Sequence, residues 1–364
     1  MLSSGIVGLP MTGKTTLFNL LTKRNEDTSK FFSGKTKTNK GVAEIPDKRV
    51  DKLIEVYNPK RGTYATLEVV DVAGLVRGAS SGAGVGNNFI EDVRSSDALI
   101  HVVRAFNNKD IPHIEESINP MRDIETVNME LLFSDLEFVE KRMERIKDSK
   151  KVTEEQKEEL IVLEYIYNEL SDEIPYYQIE FNEEQERIMK PYKFLTNIPM
   201  ILVINLDDDQ LQNKSYDQRE KIIEYAKNKD MRVIETSLQT EIEISQLDKE
   251  SQQDFLDDLG IDEPGVNLVA KAMYNILNLI SFFTVGEDEV RAWTIKKGLN
   301  AQQAAGKIHS DLERGFIRAE TVSYEDFKNA NYSMTTAKEM GVWRLEGKGY
   351  IVKDGDILNI RFNV

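Results

Sequence analysis

The chain has 364 residues, of which 40% are hydrophobic and 30% charged, and its formal net charge is −16. That length and balance suit a globular protein of roughly two or three domains. So acidic a chain is repelled by phosphate backbones, which argues against DNA binding and confines any RNA contact to a local basic patch. Cysteine is absent, which excludes disulfides, thiolate metal sites and thiol-based regulation. No signal-peptide pattern opens the chain and no stretch has the apolar length of a membrane span, so a cytoplasmic location with no membrane partner is expected.

Gly5-Ile6-Val7-Gly8 reads as a short strand entering a glycine-rich turn, followed by a helical run from Thr15 to Leu21. Residues 27–40 are polar and aperiodic, as a loop would be. Helical spacing returns at Val50–Val56, and apolar strands are predicted at Ala65–Val72 and Ala98–Val103. Between these strands, residues 74–86 are too rich in glycine for a stable helix. Alternating strands and helices predict a mainly parallel, doubly wound sheet.

From Asp123 to about Leu195 the pattern changes. Ile124, Val127, Leu131, Leu132, Leu136, Val139, Met143 and Ile146 recur three or four apart, and a second stripe follows at Leu160, Leu163, Ile166 and Leu170. With a polar turn near 149–153, this predicts an antiparallel, coiled helical hairpin inserted into the α/β domain. The α/β pattern resumes with a strand at 199–205, a helix at 217–228 and a strand at 231–235. The acidic stretch 241–263 reads as a solvated helix and linker, and a helix is predicted at 266–279. Strands at 282–285 and 290–295, a helix at 301–312, and strands at 316–322 and 355–362 predict a β-grasp module.

Gly8-Leu9-Pro10-Met11-Thr12-Gly13-Lys14-Thr15 fits the phosphate-binding loop G-x-x-x-x-G-K-[ST] between a strand and a helix. Backbone N–H groups from Met11 to Thr16, in the turn that Pro10 opens, would surround phosphates, Lys14 would supply charge, and the Thr15 hydroxyl would ligate Mg²⁺. Asp71-Val72-Ala73-Gly74 ends the next apolar strand. Asp71 would hold the metal, and the Gly74 amide would meet the terminal phosphate. Leu75 then stands where Ras-type enzymes carry the glutamine that orients water, so catalysis needs another group, a bound ion or a partner. Asn205-Leu206-Asp207-Asp208 occupies the base-reading position, N-K-x-D in guanine-specific enzymes. Asp208 would accept from guanine and Leu206 would pack on a purine face, while Ser237 and Leu238 would complete the pocket.

With these motifs in view, the chain resembles the YchF/Obg-like ATPase family of the translation-factor-related GTPase class. The most specific pieces are Asp71-Val72-Ala73-Gly74-Leu75-Val76-Arg77-Gly78-Ala79, Asn119-Pro120-Met121-Arg122-Asp123-Ile124-Glu125-Thr126, Phe283-Thr284-Val285-Gly286 and Val290-Arg291-Ala292-Trp293-Thr294. The resemblance implies a G domain (1–122 and 197–279), an inserted coiled-coil (123–196) and a TGS domain of β-grasp type (280–364). It also implies ATP preference, ribosome association and a hydrophobic residue in the glutamine's place. Three departures stand out. The family loop reads G-L-P-N-V-G-K-S, so potassium binding through its asparagine is not carried over to Met11. The switch I threonine falls on Lys35, leaving Thr36 or Thr38 as the substitute metal ligand. Asp208 replaces the family glutamate, a step back toward guanine.

Among the histidines, His101 reads as structural and His309 as a surface residue. His113, in the loop after the 98–103 strand, is the candidate for orienting water. Lys296, Lys297, Lys307, Arg314 and Arg318 offer either a basic face for ribosomal RNA or a solvated charged face. The expectation is therefore a Mg²⁺-dependent P-loop NTPase that hydrolyses ATP, and possibly GTP, slowly as a ribosome-associated switch. The alternatives are a GTP-specific switch and a nucleotide-binding adaptor with negligible hydrolysis.

Overall fold

The computed structural model describes residues 2–24, 38–72 and 86–363. Its strands are β1 (Ser3–Val7), β2 (Asn39–Ile45), β3 (Arg61–Thr63), β4 (Ala65–Asp71), β5 (Ala98–Arg104), β6 (Met200–Asn205), β7 (Val233–Thr236), β8 (Leu279–Thr284), β9 (Glu289–Lys296), β10 (Phe316–Ser323), β11 (Arg344–Glu346) and β12 (Asp356–Phe362). Its helices are α1 (Lys14–Thr22), α2 (Lys48–Tyr57), α3 (Gly86–Ser95), α4 (Pro120–Lys147), α5 (Glu154–Ser171), α6 (Glu183–Met189), α7 (Asp208–Asn213), α8 (Arg219–Asn228), α9 (Leu238–Gln246), α10 (Lys249–Leu259), α11 (Gly265–Ile276), α12 (Ala301–Ile308), α13 (Ser310–Arg314), α14 (Tyr324–Asn329) and α15 (Met334–Glu339). The chain divides into two compact units, residues 1–41 with 68–269 and residues 42–67 with 270–364.

In the first unit, β1 and β5 are buried at every residue, as central parallel strands covered on both faces must be. The sheet order is β2-β4-β1-β5-β6-β7. β4, β1, β5, β6 and β7 pair in parallel, with Ile6 level with Asp71 on one side and Ile100 on the other. Asn205 is level with Arg104 and Thr236. Asp71, Asn205 and Thr236 therefore end their strands on one edge, the edge from which the loop after β1 leaves, and open α/β sheets bind ligands there.

α4 begins with Asn119 accepting from the Arg122 amide and with Pro120 at its first position, which fixes the helix start. Its first half packs Val127 and Leu131 against Val7, Val70 and Leu99. Its second half packs Val139 and Ile146 against Val162, Leu163, Ile166 and Leu170 of α5. Thr153 starts α5 with a reciprocal capping box to Gln156. Asp135 on α4 is fully buried. It accepts from the Leu195 amide at 2.8 Å and from the Thr196 amide and hydroxyl at 2.9 and 2.7 Å. Burial pushes its carboxyl up to about 6, against the pull of those bonds. The returning chain is thus bolted to the root of the hairpin.

The second unit is a six-stranded sheet in the order β11-β10-β12-β8-β9-β3. β8 and β9 are antiparallel, β12 lies parallel to β8, and β10 is antiparallel to β12. Ala301, Ala304 and Ala305 of α12 pack on Ile280, Phe282, Ile295 and Leu358, the sheet-over-helix arrangement of a β-grasp. The helix predicted at 301–312 breaks at His309, whose backbone is extended (φ −163°) and whose ring Nδ1 accepts from the Asp311 amide. Residues 42–67 belong to this unit. β3 pairs in parallel with β9, and Arg49 of α2 meets Asp354 at 2.7 Å while lying over the Phe283 ring.

Candidate nucleotide-binding site

The turn from β1 to α1 is the predicted phosphate loop. Gly13 has φ +105°, and a Cβ there would fall 2.6 Å from Asn205 Nδ2 and 2.9 Å from Leu238 Cδ1. Only glycine fits. Gly13 caps α1 without a side chain, and the first turn of α1 holds no acidic residue. Its amides and dipole are therefore left for an external anion. Pro10 and Thr12 are buried, Thr16 is half-buried in the first helical turn, and Met11 takes the left-handed conformation at φ 63°.

Lys14 is only 8% exposed. Its ammonium donates to the Leu9 carbonyl at 2.7 Å, which also accepts from the Thr12 hydroxyl at 3.0 Å. Burial pushes the ammonium down to about 8, and nearby Asp71 pulls it back up. A buried cation resting on a neutral carbonyl is poorly compensated, and phosphate oxygens would complete it. The Thr15 hydroxyl donates to Asp71 Oδ2 at 2.9 Å. The two predicted metal ligands are thus adjacent, and a hydroxyl beside a carboxylate is a hard oxygen pair that fits Mg²⁺. Gly74, Leu75 and Thr36 lie outside the described residues. Thr38 donates its hydroxyl to the Asp92 carboxylate of α3.

The base side differs from expectation in detail. Asn205 donates from Nδ2 to the Thr12 carbonyl at 3.0 Å and accepts the Leu238 amide at Oδ1 over 3.1 Å. It first locks the phosphate loop to the loop after β7, leaving one Nδ2 hydrogen for a purine. Leu206, expected to pack on a purine face, sits in a core cluster. It is 3% exposed and packs with Val103, Ile204, Tyr216 and Ile222. Asp208 is exposed, and its Oδ1 accepts from the Ser237 hydroxyl at 2.9 Å and from the Thr240 hydroxyl. Ser237 in turn caps α9. Sequence reading missed Thr240, whose place three residues after a serine cap is the available signal.

His113 is corrected as well. Its side chain is 4% exposed, Nδ1 accepts from the Glu115 amide at 3.1 Å, and Nε2 donates to Asp123 at 2.9 Å. Arg122 holds the other Asp123 oxygen at 2.8 Å. With both ring nitrogens engaged, His113 fastens its loop to α4 and has none for a water. His101 is buried and structural, as expected, and burial pushes its imidazole down to about 3, so it is neutral.

Comparison with known proteins bears on the whole chain. Residues 3–135 match a family model described as a 50S ribosome-binding GTPase, and residues 279–363 match the YchF-GTPase C-terminal family, described as a protein of unknown function. A Bacillus subtilis relative, ribosome-binding ATPase YchF, is 44% identical with all of both chains covered. Its Mycoplasma genitalium namesake is 40% identical, again over all of both chains. The solved structure of the Schizosaccharomyces pombe YchF GTPase is 33% identical and superposes with a TM-score of 0.84, covering 99% of this chain and 97% of its own. A phosphate loop joined through Thr15 to Asp71, a hairpin rooted on α4 and a C-terminal β-grasp all accompany end-to-end likeness: the chain belongs to the YchF family.

Proposed function

We propose that the protein binds a purine nucleoside triphosphate with Mg²⁺ and hydrolyses it slowly to the diphosphate and phosphate, acting as a ribosome-associated switch in the cytoplasm. The observation that carries the reading is the convergence of Lys14, Thr15 and Asp71 at one edge of the parallel sheet. Lys14 would leave the Leu9 carbonyl for phosphate oxygens, and the α1 amides would hold the phosphate chain. Thr15 and Asp71 would hold Mg²⁺, which when bound neutralises phosphate charge. Slow turnover follows from Leu75, which cannot orient water, and from the engagement of His113.

ATP is supported by the bacterial relatives, which carry ATPase names, whereas the yeast relative is called a GTPase. Ribosome binding is likewise what the bacterial names say of those proteins. In this reading residues 1–122 and 197–279 serve the nucleotide, save 42–67 and 270–279, which pack in the second unit, 123–196 form the inserted hairpin, and 280–364 form the TGS module. Among the described residues no helix is long and apolar enough to cross a membrane. The test is phosphate release from ATP and GTP, with and without Mg²⁺ and ribosomes. Turnover that needs Mg²⁺ and rises with ribosomes supports the proposal, and turnover indifferent to both refutes it.

A further inference from the structure

At the opposite end of the sheet, the first unit holds a cavity of about 300 Å³ beside the start of β6 and the approach to β7. β6 is 6 residues long, which puts this cavity about 17 Å from Asn205 along the strand. Its wall is formed by α4, the chain returning from the hairpin, and the end of α8. Met129, Met200 and Met231 all line it. Thioethers are adaptable, polarisable and well matched to aromatic rings.

The polar features converge on one side. The Lys229 ammonium lies 4.5 Å from the Tyr225 ring centroid and 5.7 Å from that of Tyr177. Tyr225 is held in place by Asn128, whose Nδ2 donates to its hydroxyl at 2.7 Å. Lys229 is half-buried, against that burial Tyr177 and Tyr225 raise its ammonium, and among the described residues no ion pair joins it to a carboxylate. Glu125 and Glu173 also reach the cavity but are exposed to water. Tyr177 is 44% exposed, an aromatic ring left open to solvent.

We propose that this cavity is a second ligand site, separate from the nucleotide site, for a small flat aromatic molecule that carries one anionic group. The ring would lie among the three methionines and the anion would meet Lys229. A cavity of this volume is at the small end of ligand sites, enough for one or two fused rings. An ammonium with aromatic neighbours and no paired carboxylate is the group an incoming anion completes. Leu195 and Thr196, which Asp135 bolts to α4, are also part of the wall, so a bound molecule braces the root of the hairpin.

The test is calorimetric and fluorescence titration of the full chain with naphthalene-2-sulfonate and with its uncharged parent, naphthalene. Saturating ATP, GTP and Mg²⁺ are included so that the nucleotide site is filled. The expected result is one sulfonate per chain, bound about tenfold tighter than the uncharged parent. Lys229→Met should erase that difference, and Met129→Trp should abolish binding of both probes by filling the cavity. Asn197→Trp, at an exposed wall position, should give the same block if Met129→Trp fails to fold. Binding untouched by either tryptophan would overturn the site, and a sulfonate preference surviving Lys229→Met would overturn the anion.

Discussion

The Ser237 hydroxyl donates to Asp208 Oδ1 across 2.9 Å, and this bond decides how the proposed base pocket would present its carboxylate. With Thr240 on the same oxygen, the second oxygen keeps its lone pairs for a ligand. A carboxylate only accepts, so it suits the N1–H and N2 amino group of guanine and offers nothing to adenine N1. Asp208→Ala is expected to weaken GTP about tenfold or more while changing ATP affinity by less than about threefold. Dissociation constants for both nucleotides in both proteins check this. Equal losses would show that Asp208 holds the loop and reads no base.

Lys14 yields a prediction about protons. In the free protein burial brings its ammonium down to about 8, whereas phosphate beside it favours the charged form. Triphosphate binding above pH 8 should therefore take up a proton, and affinity should fall as pH rises through that value. Calorimetry at pH 8.5 in buffers of different ionisation enthalpy measures the uptake. Lys14→Ala should lose both the uptake and productive binding while keeping the fold.

His113→Ala should leave turnover unchanged within about twofold, because both ring nitrogens serve the fold. It should lower stability by about 1–3 kcal/mol, since a buried Asp123 oxygen loses its donor. Thermal unfolding and phosphate release on the same preparation separate the two effects. A large loss of turnover with stability intact would restore the catalytic role.

Asp135→Asn should destabilise the protein by about 1–3 kcal/mol at neutral pH, because an amide turns a donor toward one of the two amides that the carboxylate accepts. The pH dependence has the opposite origin. Burial raises the folded carboxyl to about 6 from 3.8, so the stability it contributes is present at low pH and is lost as pH rises through 6. Denaturant unfolding at pH 4.5 and pH 7 should therefore show a change in wild type that the mutant lacks, read as the difference between the two proteins.

Elements with a local signature could be read from sequence. The phosphate loop needs a glycine spacing, a strand and a helix, and all were visible between Gly5 and Leu21. The hairpin stripes from Ile124 to Leu170 were visible because burial along a helix repeats at its own period. What escaped depends on tertiary neighbours. Leu206 looks like a base-facing residue until Tyr216 and Ile222 are seen to enclose it. His113 looks free until Asp123, ten residues on, is seen to accept from its Nε2. β3 is 3 residues long, too short for any alternation to register.

The second unit is assembled from ends of the chain that are far apart: Lys60 pairs with Asp288, 228 residues later, and Arg61 sits level with Glu289. During synthesis β3 and α2 must therefore wait for most of the polypeptide before their partners exist. Closing so large a loop has an entropic cost that local helices avoid. The hairpin and the phosphate loop can form early, while this unit is expected to be the slow, late step of folding. Cutting the chain before residue 270 would not excise a module cleanly, because it would strand Arg49 without Asp354, Tyr57 without the Phe327 ring it stacks on, and the β3 edge without β9.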